Sequence, residues 1–368
     1  MNYMAQPFII DAHEDLAYNV LTFGRDYTRA AEETRRLEKQ TGAPAISHNG
    51  NTLLGWPDFQ RGRVAIIFST LFVVPRRARE GDWDTQAYAD DQQAHRLFSA
   101  QLDIYHKLTD LHPDKFRLVG TRSDLEAVIA PWQKAEAGMH PVGLVPLMEG
   151  AEGIRTPAEV EEWWERGVRF IGLAWAGTRY CGGTREPGPL TNEGRALLKV
   201  MADFNISLDL SHMDELAARQ ALDYYPGPVM VSHSNAAALV RGYTGNRLLP
   251  DHIIHRLLER DGIIGIVPFN RFLDYEWKQN SNRSAITLEH VAAQVDYICQ
   301  LAGDARHAAL GSDYDGGFGV EAVPAEVDTI ADLQKLGAIL AVKGYNDRDV
   351  AAVLGENWLR HLHSHLPA

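Results

Sequence analysis

The chain has 368 residues, of which 45% are hydrophobic and 23% charged, a composition that excludes intrinsic disorder and is typical of a folded globular protein. Its formal net charge of -13 argues against nucleic acid as a partner, because phosphate binding needs a concentrated basic surface. The two cysteines, Cys181 and Cys299, are far apart and in no metal-type spacing, so neither a disulfide framework nor a cysteine zinc site is indicated.

The amino-terminal residues show no targeting signal. They lack a basic region followed by a long apolar stretch, and no window of the chain approaches the roughly 18 uncharged apolar residues of a membrane span. We therefore expect a cytoplasmic protein without a membrane partner.

Short apolar segments rich in β-branched residues recur along the chain and predict strands. In chain order these eight segments are 7–13, 64–74, 142–149, 168–175, 206–212, 229–234, 262–270 and 307–316. Segments of helical character separate them, such as 156–167, where Thr156 is the predicted N-cap and Pro157 the first helical residue, and 191–205. Near-continuous apolar strands suit a parallel sheet that crossover helices cover on both faces.

Eight β/α units that close on themselves form a barrel, so the predicted fold class is α/β, a (β/α)8 TIM barrel. An open doubly wound sheet is the alternative, but no G-x-G-x-x-G turn follows the first strand. The segments 14–63 and 75–141 are longer than the connections between strands that a minimal barrel needs. We interpret them as elaborated loops after strands one and two of a single domain spanning 1–368, because neither shows strands of its own.

Ionisable side chains follow the predicted strands at the ends that form the active-site cup of a β/α barrel. They are His13 and Asp15 after strand one, Glu149 after strand three, His212 after strand five, His233 after strand six and Asp313 after strand eight. Burying so many ionisable groups together is costly unless a cation compensates them. Three imidazoles and two or three carboxylates suit Zn²⁺, with Mn²⁺ or Fe²⁺ as alternatives, and are too many for one tetrahedral centre. We therefore expect two zinc ions.

Other carboxylates near these positions are not expected to bind metal or to act as the main proton carrier. Asp11, His13 and Asp15 share one face of the first strand by alternation, and Asp11 is expected to support the site rather than to bind metal. Asp209 lies three positions before His212, and alternation along a strand would place the two side chains on opposite faces. We therefore expect Asp209 to face the helix layer. Asp315 is a weaker rival for the role of Asp313.

The carboxy-terminal "HLHSHLPA" contains His361, His363 and His365, which together suggest a metal-binding tract. A chain terminus without an anchor is a poor place for such a site. We expect a frayed helix end there.

Motifs in a fixed order over nearly the whole chain resemble those of the membrane (renal) dipeptidase family, binuclear zinc peptidases of the amidohydrolase group. They are "DAHED", "MEG", "LTNEGRALL", "LDLSH", "VSHSNA", "GNRLLPD" and "LGSDYDG". The resemblance implies a (β/α)8 barrel of the metal-dependent amidohydrolase type. It also implies that His13 and Asp15 hold one zinc ion, that His212 and His233 hold the other, and that Glu149 bridges both.

The same resemblance implies roles in catalysis and substrate binding. Asp313 matches the carboxylate that handles protons beside the metal-bound water. Arg247 in "GNRLLPD" matches the arginine that engages the terminal carboxylate of the substrate, a task that suits a planar, bidentate guanidinium. The implied activity is release of amino acids from dipeptides. A homodimer is common in this family, although no segment of the sequence marks a dimer surface.

One position departs from the family pattern. Where the family has a Thr-His pair near the end of strand four, whose histidine binds the scissile carbonyl and its oxyanion, this chain has Trp175. Tryptophan donates only through its indole N–H and cannot be cationic. A neighbour such as Arg179 or Tyr180 can take this role. The alternatives are a different amidohydrolase, acting on N-acyl amino acids, lactams or lactones, and a non-catalytic homologue.

Overall fold

The computed structural model describes residues 6–134, 137–278 and 282–368, and its centre is a parallel barrel of eight strands. The strands are β1 (Ile9–Glu14), β2 (Val64–Phe72), β3 (Val142–Glu149), β4 (Phe170–Gly172), β5 (Ser207–Asp209), β6 (Val229–Met230), β7 (Ile264–Ile266) and β8 (Ala308–Leu310). Their order around the sheet is β6-β5-β4-β3-β2-β1-β8-β7. A parallel bridge between Val231 and Ile264 joins the two outer strands. The predicted (β/α)8 fold is confirmed.

Close packing at the closing seam depends on two glycines. A Cβ atom on Gly265 or on Gly311 would lie 1.8 Å from the Ser232 carbonyl oxygen, a distance that no side chain tolerates. Val231 N also donates to the Ile263 carbonyl oxygen at 2.8 Å across this seam. The glycines therefore allow β7 and β8 to approach the chain that leaves β6.

Several strands end earlier than the apolar segments predict. β5 ends at Asp209 and β8 ends at Leu310, each three residues before the ionisable side chain assigned to it. His212 has φ 64° and Asp313 has φ 58°, in the left-handed region that an extended strand cannot include. These two side chains therefore belong to the loops that leave the strands.

Helices surround the barrel and fill its longer loops. The α-helices are Leu16–Phe23, Ala31–Thr41, Ala45–Asn49, Trp56–Arg61, Asp91–Leu111, Arg122–Gln133, Val160–Glu165, Asn192–Asp203, Glu215–Tyr224, Asp251–Leu258, Asn270–Leu273, Leu288–Ala302, Lys335–Val342, Asp347–Ala351 and Asn357–His365. The segment predicted to be helical from residue 156 begins with a 3₁₀ turn, Pro157–Glu159, and Thr156 makes no capping hydrogen bond. Within the described residues, no helix combines the length and apolar character that crossing a membrane requires.

The second elaborated loop contains strands, so the prediction that residues 75–141 have none is wrong. Val74–Pro75 pairs in parallel with Ala87–Tyr88, and Phe116–Leu118 pairs in parallel with β3. Phe116 is fully buried in the core. These strands have two or three residues each, too few for an alternating pattern to be recognised in the sequence.

The carboxy-terminal segment is anchored, and the expected frayed helix end is wrong. His361 is buried, and its Nε2 lies 2.8 Å from Ser207 Oγ in β5. Arg122 N donates to the Pro367 carbonyl oxygen at 2.8 Å. The final helix therefore packs beneath the barrel, and His361 serves that packing.

A hairpin that the sequence did not predict follows β4. Its antiparallel strands are Cys181–Gly183 and Glu186–Leu190. Arg77, in the loop after β2, forms an ion pair of 2.7 Å with Glu186 and so holds the hairpin against the rim of the barrel. Cys181 and Cys299 are both buried free thiols.

Candidate metal centre

Six ionisable side chains from five strand ends meet at the carboxyl rim of the barrel, as predicted. They are His13, Asp15, Glu149, His212, His233 and Asp313. His13 Nε2 lies 3.6 Å from Asp15 Oδ2 and 3.8 Å from Asp313 Oδ1. The Nε2 atoms of His212 and His233 are 3.0 Å apart. The rim therefore gathers groups that the sequence separates by up to 300 positions.

Glu149 occupies the middle of this cluster. Its Oε2 lies 3.7 Å from His13 Nε2. Its Oε1 lies 3.0 Å from His212 Nε2 and 3.4 Å from His233 Nε2. The two oxygens of one carboxylate thus face different histidines, and the rings of His13 and His233 are themselves in contact, with centres 3.7 Å apart.

The acidic half of the cluster has strongly shifted pKa values. Burial raises the pKa of Glu149 to about 8 and that of Asp313 to about 7. Burial opposes a charge on His13, but the carboxylates of Glu149 and Asp15 outweigh it and raise the pKa of His13 to about 10. Carboxylates this crowded need positive charge among them, which a proton on His13 or bound cations can supply.

The other two histidines are neutral, and hydroxyl groups orient them. Burial lowers the pKa of His212 and of His233 well below the usual range. Nδ1 of His212 lies 3.0 Å from Thr184 Oγ1 in the turn of the hairpin, and Nδ1 of His233 lies 2.7 Å from Ser232 Oγ. With Nδ1 engaged in this way, each Nε2 can present its lone pair to the cluster.

Asp209 lies behind this site, so the prediction that it faces the helix layer is wrong. Its Oδ1 accepts from Ser211 N and from Ser232 N, both at 2.9 Å, and its Oδ2 accepts from the Ser232 hydroxyl. The backbone at His212 is left-handed, so the regular alternation of side chains has ended before this residue. The face that His212 occupies therefore does not predict the face that Asp209 occupies. Ser232 could have been suspected because it precedes a ligand candidate, whereas nothing in the sequence pointed to Thr184.

The carboxylates of the "SDYDG" motif separate into two roles. Asp313 reaches the cluster, and Gly316 is needed beside it, because a Cβ there would lie 2.2 Å from Asp313 Oδ1 and 2.8 Å from Asp15 Oδ2. Asp315 is fully buried elsewhere, where its Oδ2 accepts from Arg25 Nη1 at 3.0 Å and from the Tyr27 hydroxyl at 2.7 Å. Asp315 therefore braces the first elaborated loop and does not compete with Asp313.

Asp11 lies directly below the cluster. Its Oδ1 accepts from Ser312 N at 2.7 Å and from His13 N at 3.3 Å. It holds the backbones of β1 and of the loop after β8 together, as expected of a supporting residue.

Arg247 is buried beside the cluster with part of its guanidinium unused. Nη2 donates to the His233 carbonyl oxygen at 2.8 Å, and the guanidinium carbon lies 5.2 Å from the centre of the Phe272 ring. Nε and Nη1 are buried and have no hydrogen-bond partner among the described residues. Buried unsatisfied donors of this kind are rare and indicate a missing acceptor.

Trp175 lies at the rim, whereas Arg179 and Tyr180 turn away from it. The Trp175 and His212 ring centres are 6.0 Å apart. Arg179 is occupied by Asp91 and by the Glu152 carbonyl oxygen, and the Tyr180 hydroxyl donates to the Ile154 carbonyl oxygen. The structure does not bring either residue of the 179–180 pair to the cluster.

The donors present suit a metal centre. Both ring nitrogens of His13 and Oδ1 of Asp15 are buried without hydrogen-bond partners in the described part of the chain. Two groups of three have ligand atoms within 4.8 Å of one another: His13 with Glu149 and His233, and His13 with Asp15 and Asp313. Nitrogen and carboxylate donors that converge in a buried pocket are the ligands of Zn²⁺ and similar divalent ions.

Comparison with known proteins agrees with this geometry. A model of the membrane dipeptidase family, peptidase family M19, matches residues 2–365. The chain belongs to this family. Membership in the membrane dipeptidase family confirms the predicted relationship and the prediction of a hydrolase, and it agrees with a metal-dependent site.

Three similar proteins share between 20% and 26% of the aligned residues with this M19 chain. Dipeptidase tcpJ of Claviceps purpurea is 26% identical over 325 residues, which cover 84% of this chain and 69% of the relative. The crystal structure of dipeptidase AC has a TM-score of 0.75 at 22% identity and covers 99% of this chain and 100% of its own. A Rhodobacter sphaeroides metallopeptidase, solved with a phosphinate mimic of the dipeptide L-Ala-D-Ala, has a TM-score of 0.75 at 20% identity, with coverage of 98% and 99%.

Proposed function

We propose that this chain is a dipeptidase that uses two zinc ions to hydrolyse the peptide bond of a dipeptide. The observation that carries the proposal is the placement of Glu149, whose Oε2 faces His13 and whose Oε1 faces His212 and His233. A carboxylate with this arrangement suits two ions, one at each oxygen. Family membership and relatives named dipeptidases support the same activity.

These contacts and the family resemblance support the ligand assignment. His13 and Asp15 would hold one ion, His212 and His233 the other, and Glu149 would contribute to both. When bound, divalent ions at such a site lower the pKa of water and polarise a carbonyl group. The chain contributes the orientation of the ligands and a buried pocket that keeps bulk water from the reacting groups.

Asp313 is the proposed proton carrier. Its Oδ1 lies 3.8 Å from His13 Nε2, so it borders the cluster without occupying its centre. From there it can accept a proton from the attacking water and deliver the proton to the nitrogen of the leaving amine. The left-handed backbone at Asp313 and the lack of a side chain at Gly316 aim its carboxylate inward.

Arg247 is the proposed anchor for the free carboxylate of the substrate. Its Nε and Nη1 donors are buried and unpaired among the described residues, and either of them, together with the second N–H of Nη2, can bind both oxygens of a carboxylate. This contact fixes which end of the dipeptide lies on the β6 side of the barrel. It also favours short substrates, whose terminal carboxylate lies within one residue of the scissile bond.

The test is hydrolysis by zinc-reconstituted protein of a panel of dipeptides, N-acetyl amino acids, dipeptide amides, lactams and lactones, with zinc content measured in parallel. We expect turnover of dipeptides and about two zinc ions per chain. Glu149→Gln should lose both metal and activity, whereas Glu126→Gln, a change on an outer helix, should lose neither.

Two outcomes contradict the proposal. Hydrolysis of N-acyl amino acids, lactams or lactones without hydrolysis of any dipeptide would assign a different amidohydrolase activity. Full zinc occupancy without turnover of any substrate would instead indicate the non-catalytic homologue that Trp175 allows.

A further inference from the structure

Three aromatic side chains line one side of the barrel mouth, and we refer to Trp175, Phe72 and Tyr18 as the aromatic wall. The ring centres of Trp175 and Phe72 are 5.2 Å apart, and those of Phe72 and Tyr18 are 5.7 Å apart. The wall begins beside the metal cluster, because the Trp175 ring centre lies 6.0 Å from that of His212.

The wall faces the reaction site. Phe72 is in direct register with Glu149 across the β2–β3 pair, and directly paired residues of neighbouring strands extend from the same face of the sheet. Trp175 and Glu149 also line one small cavity. Phe72 and Trp175 both remain partly exposed, so a ligand above the cluster can reach their rings.

The wall is fixed in place before any ligand arrives. The Tyr18 hydroxyl donates to Asp84 Oδ1 at 3.0 Å. The Trp175 carbonyl oxygen accepts from Thr184 N at 2.9 Å, and Thr184 also holds His212. Because the Tyr18 side chain and the Trp175 backbone are held by these bonds, less conformational entropy is lost when a ligand packs against the wall.

Phe72 and Arg247 lie on opposite sides of the barrel. Phe72 ends β2, whereas Arg247 belongs to the loop after β6, and four strand steps separate β2 from β6 in either direction around the closed ring. Glu149 ends β3, between the two. A substrate whose carboxylate is held at Arg247 and whose scissile bond lies over the cluster must extend its other residue toward the wall.

We infer that the aromatic wall is the binding subsite for the side chain of the residue amino-terminal to the scissile bond, and that it selects aromatic or large apolar side chains. The inference rests on the proposed dipeptidase function. Aromatic faces bind apolar and aromatic groups through burial and through offset or edge-to-face contacts. Trp175 cannot stabilise an oxyanion as a cation would. Its role would then be to select the side chain of the amino-terminal residue of the substrate.

The test compares kcat/KM of the zinc-loaded protein for Phe-Ala, Leu-Ala, Ala-Ala, Asp-Ala and the reversed dipeptide Ala-Phe. We expect Phe-Ala to exceed Ala-Ala by about tenfold to a hundredfold, the range that burial of a large apolar side chain provides. Ala-Phe should show no comparable advantage. Phe72→Ala and Trp175→Ala should lower kcat/KM for Phe-Ala about tenfold more than they lower kcat/KM for Ala-Ala, so that most of the preference for Phe-Ala is lost.

Matched controls come from a second aromatic pair. Phe204 and Trp164, with ring centres 5.6 Å apart, lie in the helix layer away from the mouth, so Phe204→Ala should leave the ratio of Phe-Ala to Ala-Ala unchanged. If an alanine variant does not fold, as judged by circular dichroism and zinc content, Phe72→Leu and Trp175→Phe replace it, and each should reduce the preference partially.

The outcomes separate the two proposals. If dipeptides are hydrolysed but Phe-Ala has no advantage over Ala-Ala, the wall is not a selective subsite, whereas the dipeptidase function stands. Equal loss for both substrates in the wall variants would likewise overturn the subsite. If no dipeptide is hydrolysed, the proposed function fails and the subsite fails with it.

Discussion

Ser232 Oγ lies 2.7 Å from Nδ1 of His233. The Ser232 hydroxyl proton goes to Asp209 Oδ2, so its oxygen is free to accept the Nδ1 proton of His233. This chain of hydrogen bonds leaves the lone pair on Nε2, the nitrogen that faces Glu149. The barrel therefore sets the tautomer of His233 through a serine and a carboxylate that the substrate does not reach.

Removal of this hydroxyl should weaken metal binding. For Ser232→Ala we expect zinc affinity to fall about 10- to 100-fold, because the imidazole loses the group that fixes its orientation and tautomer. Competition with a chromophoric chelator measures the affinity. Ser47→Ala, at an exposed serine, serves as the control. An unchanged affinity in Ser232→Ala would show that the hydrogen bond has no part in metal binding.

Asp313→Asn should separate metal binding from turnover. The amide keeps the shape of the side chain but cannot accept and return a proton, so kcat should fall by about 10²- to 10⁴-fold. Zinc content should stay near that of the unmodified protein, because Asp313 borders the cluster and is not an assigned ligand. Asp203→Asn, at an exposed helix end, should change neither quantity. Near-normal kcat in Asp313→Asn would refute the proton-carrier role.

Arg247→Met should affect dipeptides with a free carboxylate far more than their amides. A buried charge pair that loses one partner weakens binding by about 30-fold or more, so KM for the free dipeptide should rise at least this much. The unmodified protein should already prefer a dipeptide to its carboxy-terminal amide, and the variant should lose that preference. Arg241→Met, at an exposed arginine, should retain it. A preference that survives in Arg247→Met would place the carboxylate elsewhere.

His361 should make the fold less stable in mild acid. Burial lowers the pKa of His361 well below its usual range, whereas in the unfolded chain it binds a proton near pH 6.5. Its contribution is therefore complete above about pH 6.5 and is lost as the pH falls below that value, by up to about 1.4 kcal/mol per pH unit.

Denaturant unfolding between pH 7.5 and 5 measures this effect. His361→Gln should show a shallower loss of stability with acidification than the unmodified protein, since the metal site and its own pH dependence are common to both. His255→Gln, at an exposed histidine of another helix, should follow the unmodified protein. Parallel curves for the unmodified protein and His361→Gln would contradict the assignment.

The residues of the candidate metal centre could be predicted from the sequence because all strands of a parallel barrel point the same way. Apolar, β-branched segments mark the strands, and every carboxyl end of a parallel strand points to the same rim. Glu149 and His233, 84 positions apart in the chain, therefore had to approach each other once the strands were recognised.

The hydrogen bonds around the cluster could not be identified in this way. Thr184 reaches His212 only because a hairpin folds over the rim. Asp209 faces inward in register with Glu149 through Gly172, and counting back from His212 misplaces it because the backbone leaves the extended conformation after β5. Arg179 and Tyr180 are near the site in the sequence, yet both are bonded elsewhere.

Sequence alone thus determined which side chains gather at the candidate metal centre, since their positions depend on strand period and strand direction, both of which are local patterns. Tertiary structure decided which groups orient them, which strands lengthen the second loop, and that His361 is buried against Ser207. The physical reason is that a hydrogen bond needs a partner within about 3 Å, and that partner is set by how distant segments pack.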